Sequence, residues 1–210
     1  MEENEIRTTI LAQNKKKIIE QNADPSTSWT ARVTCLSDLT DVELETTHTG
    51  LLPPPPQEEM DRISKKAEQE LLAPLRQREQ SLPASVDLTT MGRVSTPKDQ
   101  ASCGSCAAFA ALSTVESCMH KATGVLPVDL SEQHLLDCAY GYGGTYGNYG
   151  LSNKGCNGGF PVLYNEWIYK KHNGGLANEA QYPYVSGKTG IRTQCKNSTI
   201  PIANNGALVG

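Results

Sequence analysis

Helical spacing of apolar and polar positions runs through most of this chain. Near the N-terminus, Glu3, Arg7, Leu11, Asn14, Ile18 and Asn22 recur every three or four residues, which keeps them on one face of a helix. That helix is predicted over residues 3 to 22, with Pro25 discouraging its continuation. Residues 26 to 50 are mixed, with short β-leaning pieces, and Pro53 to Pro56 read as a stiff polyproline segment on the surface. Met60, Ile63, Ala67 and Leu71 return to helical spacing before Pro74, predicting a short helix and then an extended linker that reaches Ser81. Farther on, Phe109, Leu112, Val115 and Met119 make a buried stripe on a helix from Ser105 to Lys121, ended by Gly124. Ser131 reads as the N-cap of a second helix, with Glu132 and Gln133 in its first turn. A third helix is predicted over 161 to 171, with Leu163, Trp167 and Ile168 inward. Between the second and third, the glycine- and tyrosine-rich stretch from Ala139 to Gly155 reads as a surface insertion.

Composition narrows the function classes. With 210 residues, 38% hydrophobic and 20% charged, the chain suits an ordinary soluble protein of one or two domains. A formal charge of −4 gives no footprint for nucleic acid, and Lys15, Lys16 and Lys17 read as a solvated helix face. No apolar run approaches the roughly 20 residues of a membrane span. The opening Met1-Glu-Glu-Asn-Glu lacks the basic start and apolar stretch of a signal peptide.

The chemistry is concentrated at Gln100-Ala-Ser-Cys-Gly-Ser-Cys106-Ala-Ala-Phe109. Cys106 opens the central helix, where backbone N–H groups and the helix dipole favour a thiolate, the form that attacks carbonyl carbon. Seven cysteines leave at least one unpaired. The Cys103-x-x-Cys106 spacing also suits zinc or a redox pair. A zinc site would want a second close pair of Cys or His, which the sequence does not offer, and a redox pair would be expected in a βαβ context. No metal or cofactor is therefore expected.

Gln100, the Cys103-Gly-Ser-Cys106 run and Phe109 resemble the active-site segment of the papain and cathepsin L family. Leu82-Pro-Ala-Ser-Val-Asp87 resembles the start of its mature enzymes, and Leu130-Ser-Glu-Gln-His-Leu-Leu-Asp-Cys138 an internal helix. Gly155-Cys-Asn-Gly-Gly159 with Phe160 and Pro161 resembles its substrate-binding turn. The face formed by Glu3, Arg7, Leu11, Asn14, Ile18 and Asn22 resembles the long ERFNIN helix of the family's propeptides, with Leu11 in the Phe position.

The resemblance implies an α+β, papain-like fold. Residues 1–80 would be an inhibitory propeptide with a cleavable linker, and residues 81–210 the N-terminal part of a peptidase domain. That part would hold the mainly helical left lobe, with most of the β-rich right lobe missing. Cys106 would attack a peptide carbonyl and form an acyl-enzyme, and the Gln100 amide would help to hold the oxyanion. Gly158 and Gly159 would let the substrate backbone approach as an added strand. Phe160 and Pro161 would wall the pocket for the residue two before the scissile bond. Cys103 would pair with Cys156 and Cys138 with Cys195, leaving Cys106 free. The implied partners are peptide or protein substrates, the chain's own propeptide and cystatin-type inhibitors, on a monomer in a lysosomal or extracellular setting. Asn197-Ser-Thr199 is a glycosylation motif consistent with that route.

The chain also departs from the family. Ala107 replaces the aromatic after the nucleophile, which is expected to leave space and loosen the site. Leu88 stands for Trp and Ala101 for Gly. Arg32, Thr34 and Leu36 replace a second propeptide signature, of which Asp38 remains. Cys35 and Cys118 have no counterpart, and Cys118 is expected to be a small buried residue. The family's catalytic His and Asn lie about 130–150 residues after the nucleophile, and 104 residues follow Cys106. His120, His134 and His172 come too early, His134 being expected on a helix surface and His172 exposed. These features read as an incomplete copy of a cysteine endopeptidase precursor, inactive alone. The alternative is a non-catalytic relative acting as an inhibitor or decoy of papain-like proteases.

Overall fold

The computed structural model describes residues 3–50, 52–69, 83–124, 129–172 and 175–196. The linker reaching Ser81, Leu82, the Asn197–Thr199 motif and the side chain of His172 lie outside the described residues. The chain divides into two units, Met1–Thr49 and Gly50–Gly210.

In the first unit, helix α1 spans Glu3–Ala23. Arg7, Leu11, Asn14 and Ile18 are half-buried on one side, while Lys15, Lys16 and Lys17 are exposed. The half-buried face binds the returning chain through polar side chains. The Arg7 guanidinium donates to both carboxylate oxygens of Glu43 at 2.7 and 3.1 Å and to the Asp38 carbonyl at 3.2 Å. Asn14 donates to the Ser37 carbonyl at 2.9 Å, and Asn22 makes a two-way pair with the Ala31 backbone at 3.0 and 2.7 Å. Where β-leaning pieces were expected, helix α2 forms over Asp41–Thr47. Its cause is local. The Thr40 hydroxyl accepts from the Glu43 N–H and the Glu43 carboxylate accepts from the Thr40 N–H, a reciprocal capping box.

The second unit contains α3 (Gln57–Ala67), α4 (Cys106–Thr123), α5 (Glu132–Cys138), a 3-10 turn (Gly144–Tyr149), α6 (Pro161–His172) and α7 (Ser186–Thr189). Among the described residues, extended pairing is limited to two isolated bridges, Gly104 with Asn157 and Leu130 with Asn178. Helix α4 stops at Gly124, whose left-handed backbone returns its N–H to the His120 carbonyl. Small residues Ala108 and Ala111 let α4 approach its neighbours closely, and Leu112, Val115 and Met119 join Leu135, Leu136, Tyr164, Trp167 and Ile168 in one core. Each fully buried leucine there contributes roughly 1.5–3 kcal/mol. Phe109 is half-buried rather than part of the stripe, with its ring edge-on to Tyr184 at 5.2 Å.

Several expectations are corrected. His134 is 1% exposed, stacked on Tyr182 at 5.5 Å and edge-on to Trp167 at 5.8 Å, and its Nδ1 accepts the Ala177 N–H. Residues 132 to 137 of α5 are all buried, so no polar face existed for periodicity to find. Cys118 is exposed, because the groove between α4 and α6 opens beside it, lined by Thr114, Asn165 and Tyr169. Pro55 is buried, so the proline run is not wholly a surface segment.

A charged cluster joins α4 to α5. The Lys98 ammonium lies 3.1 Å from Glu116, 2.8 Å from Glu132 and 2.8 Å from Asp129. Burial pushes the Glu132 carboxyl up to about 7 in spite of that ammonium. Burial acts to lower Lys98, but hydrogen bonds to Asp129 and Glu132 hold it well above its ordinary value.

Candidate active site

Cys106 is the first residue of α4, half-buried and without a disulfide. Its approach turn is fixed from several sides. Cys103 is bonded to Cys156, and the Gly104 N–H donates to the Cys156 carbonyl at 2.9 Å, so the turn before Cys106 is tied to Gly155–Gly159. The second bridge, Cys138–Cys195, ties the end of α5 to the chain after α7. The Gln100 side-chain amide donates to the Cys103 carbonyl at 3.1 Å. Tyr184, which the sequence did not single out, donates to the Gln100 carbonyl and exchanges a hydrogen bond with the Ser105 hydroxyl, each at 2.8 Å. Ala101 has a left-handed backbone with φ +48°, a conformation suited to glycine. Ala107 is buried within the core. Tyr164 is buried nearby; burial, and secondarily the charge of Cys106, push its phenol well above its ordinary value.

Gly158 and Gly159 lie beside this turn, and Gly50 and Leu52 of the same unit lie against them. The Gly159 N–H donates to the Gly50 carbonyl at 2.9 Å. Gly158 has φ +105°, and a Cβ there would come within 2.9 Å of both the Gly50 carbonyl oxygen and the Leu52 side chain. A Cβ on Gly159 would instead strike Tyr164 and Asn153 of the protein's own body. The two glycines therefore serve different ends: Gly158 admits the segment, and Gly159 admits the core beneath. Gly50 approaches Gly104 so closely that a Cβ on it would lie 2.0 Å from the Gly104 oxygen. Leu52 packs against a cluster of Tyr146, Phe160 and Leu163. Pro161, half-buried, starts α6 directly after Phe160.

The papain family cysteine protease domain matches residues 82–206. The chain belongs to the papain family. It is 46% identical over 105 residues to human cathepsin L2, covering 50% of this chain and 28% of that protein. It is 33% identical over 196 residues to an Arabidopsis thaliana protein described as probable cysteine protease RDL2, covering 93% of this chain and 48% of the other. The recombinant stem bromelain precursor superposes with a TM-score of 0.66 at 29% identity, over 96% of this chain and 55% of that one. The proform of Amb a 11, a ragweed pollen cysteine protease, does so with a TM-score of 0.65 at 27% identity, over 92% and 53%. The chain thus spans about a quarter to a half of the curated relatives it matches. The fold is papain-like, and the described residues hold its helical part.

No imidazole in the second unit is placed as a base for Cys106 among the described residues. His120 sits fourteen positions along the same helix, about 21 Å away by helical rise, and His134 is locked in the core. Among the described residues no group of three or more His, Cys, Asp or Glu could hold a metal ion. No described helix is long and apolar enough to cross a membrane.

Proposed function

We propose that these residues belong to the precursor of a papain-type cysteine endopeptidase, with residues 1–80 as inhibitory propeptide and residues 81–210 as part of the peptidase domain. The observation that carries this reading is the hydrogen bond from the Gly159 N–H to the Gly50 carbonyl. Beside the helix that opens with Cys106, the protein holds a backbone carbonyl, that of Gly50, on the Gly159 N–H and seats one apolar side chain, Leu52, near Phe160. A peptide substrate offers those same groups, and the chain's own segment would exclude it until removed.

In the reaction, the Cys106 thiolate attacks the scissile carbonyl carbon, and the carbonyl electron pair moves onto oxygen. The Cys106 backbone N–H and the Gln100 side-chain amide stabilise that oxyanion; loss of one such donor typically costs about 10²–10³ in rate. Collapse of the adduct expels the amine, which takes a proton, and water then releases the acyl group. The proton transfers need an imidazole brought to Cys106 from beyond the described residues. Peptide and protein substrates, the propeptide and cystatin-type inhibitors are the partners of this reading. Its two disulfides suit a lysosomal or extracellular setting.

The test is hydrolysis of a fluorogenic peptide by the natural full-length polypeptide, with its intact mass measured before and after processing. Hydrolysis lost in Cys106→Ala, together with peptidyl epoxide labelling of Cys106 ahead of exposed Cys118 in the processed protein, is the expected result. A processed protein that hydrolyses nothing and is labelled equally at Cys106 and Cys118 would leave the inhibitor or decoy reading in its place.

A further inference from the structure

Residues 139–155 form a built wall rather than a loose insertion. The Gly141 N–H donates to the Asn153 carbonyl at 2.7 Å and the Asn153 N–H to the Tyr142 carbonyl at 3.1 Å, closing the base of the stretch. At its tip, Glu166 of α6 accepts both the backbone N–H and the hydroxyl of Thr145, each at 2.9 Å, and pairs with Lys170 on its other side. Gly144 is required there: its φ is +41°, and a Cβ would lie 2.3 Å from a Glu166 oxygen. With Thr145 clamped, Tyr146 is turned inward and only 6% exposed. Its ring meets Phe160 at 6.0 Å between centroids with the planes 70° apart, over fully buried Leu163. Leu52 packs on this cluster. The pocket is therefore walled by one residue of the turn beside Gly159 and by one from a loop fourteen positions earlier.

We propose that Tyr146 is a specificity-determining residue of the peptide cleft, closing the pocket that holds Leu52 so that it accepts a branched aliphatic side chain and disfavours an aromatic one, with Glu166 as its positioning residue. This rests on the peptidase reading of the cleft. The two rings, in edge-to-face contact over buried Leu163, form the surface that half-buried Leu52 packs against, so a further ring must displace one of them or stand farther out toward solvent. Overpacking of that size corresponds to roughly a 10- to 100-fold preference.

The experiment compares the processed full-length enzyme on paired peptides carrying Leu or Phe two residues before the scissile bond. Wild type should favour Leu by about 10-fold or more. Tyr146→Ala should bring the Leu-to-Phe ratio of kcat/KM close to one, Tyr146→Phe should keep it, and Glu166→Ala should move it toward the Tyr146→Ala value. An unchanged ratio in Tyr146→Ala would overturn the assignment while leaving the peptidase reading intact. A second arm needs no catalysis. In the full-length Cys106→Ala protein, Leu52→Phe should speed cutting of residues 50–56 by an added protease, and Tyr146→Ala should reverse that effect. Reversal there, with the processed protein that keeps Cys106 hydrolysing neither peptide, would uphold the pocket and sink the peptidase reading; no reversal would overturn the role of Tyr146.

Discussion

Gly50→Ala probes how the segment that begins at Gly50 is held beside Gly104 and Gly159. A Cβ at this position falls 2.0 Å from the Gly104 carbonyl oxygen and 2.4 Å from its carbon. Gly104 cannot yield, since its N–H is bonded to Cys156 and its neighbour Cys103 is disulfide-bonded to the same residue. The segment must retreat by more than an ångström, which stretches the 2.9 Å bond from the Gly159 N–H to about 4 Å, outside hydrogen-bond range. That bond is worth about 1 kcal/mol net. Leu52, drawn back with the segment, loses part of its burial, another 1–2 kcal/mol or so. Together, about 2–3 kcal/mol corresponds to a roughly 30- to 150-fold rise in the open population.

The assay is limited proteolysis of the full-length protein carrying Cys106→Ala to prevent self-cleavage, under conditions where cutting reports the open population. Cutting within residues 50–56 should accelerate by that factor in Gly50→Ala. Gly147→Ala is the control, because a Cβ there meets nothing within 4 Å. If Gly50→Ala resisted the protease as well as the parent, the close passage beside Gly104 would not be what holds the segment.

Three further outcomes follow from single features. Ala101→Gly should stabilise the protein by about 0.5–1 kcal/mol in denaturant unfolding, since the strain at φ +48° exceeds the entropy that glycine adds; a loss of stability would refute left-handed strain there. Glu132, raised by burial to about 7 from an ordinary 4.5, binds its proton more tightly when folded, so its contribution is complete in acid and disappears as pH rises through about 7. Glu132→Gln should remove that slope, at most about 1.4 kcal/mol per pH unit between about 5 and 7, and an identical slope in both proteins would refute it. Replacing Cys103 and Cys156 by serine opens a loop of sequence separation 53 and should cost about 4 kcal/mol by the loop-entropy relation, measured as a fall in the denaturant midpoint.

What the sequence disclosed was mainly local. Repeating apolar positions located α4 and α6 to within a residue or two, the mixed polar and apolar face from Glu3 to Asn22 located α1, and Ser131 caps α5 as its hydroxyl suggested. Helix α2 was equally legible in Thr40-x-x-Glu43, but the β-leaning residues before it masked the capping box. His134 was not legible, because a seven-residue helix buried all round has no amphipathic period. Cys118 follows Ala111 by two turns and so kept the spacing of a core position; only the opening between α4 and α6 exposes it. Tyr184, Tyr146 and Gly50 escaped for another reason. Each acts through a partner far along the chain, Tyr184 on Ser105 at a separation of 79 residues, and no local pattern marks such a contact.

That division has a chemical logic. The turn from Gln100 to Cys106 is over-determined: a disulfide, a tyrosine hydroxyl bonded to two of its residues, and a left-handed alanine all fix it. The proposed nucleophile would benefit from such fixity, since attack needs the sulfur and the oxyanion donors at set positions whatever peptide is bound. The pocket that receives Leu52 is completed instead by a loop clamped at one point through Glu166. On the proposed reading, substitutions between Ala139 and Gly155 would reshape what the cleft accepts while every contact of the Cys106 turn stays in place. Exchange of the 143–149 tip should accordingly alter the Leu-to-Phe ratio and leave the rate of Cys106 alkylation by a small uncharged reagent as it was; a changed alkylation rate would show that the two parts are coupled after all.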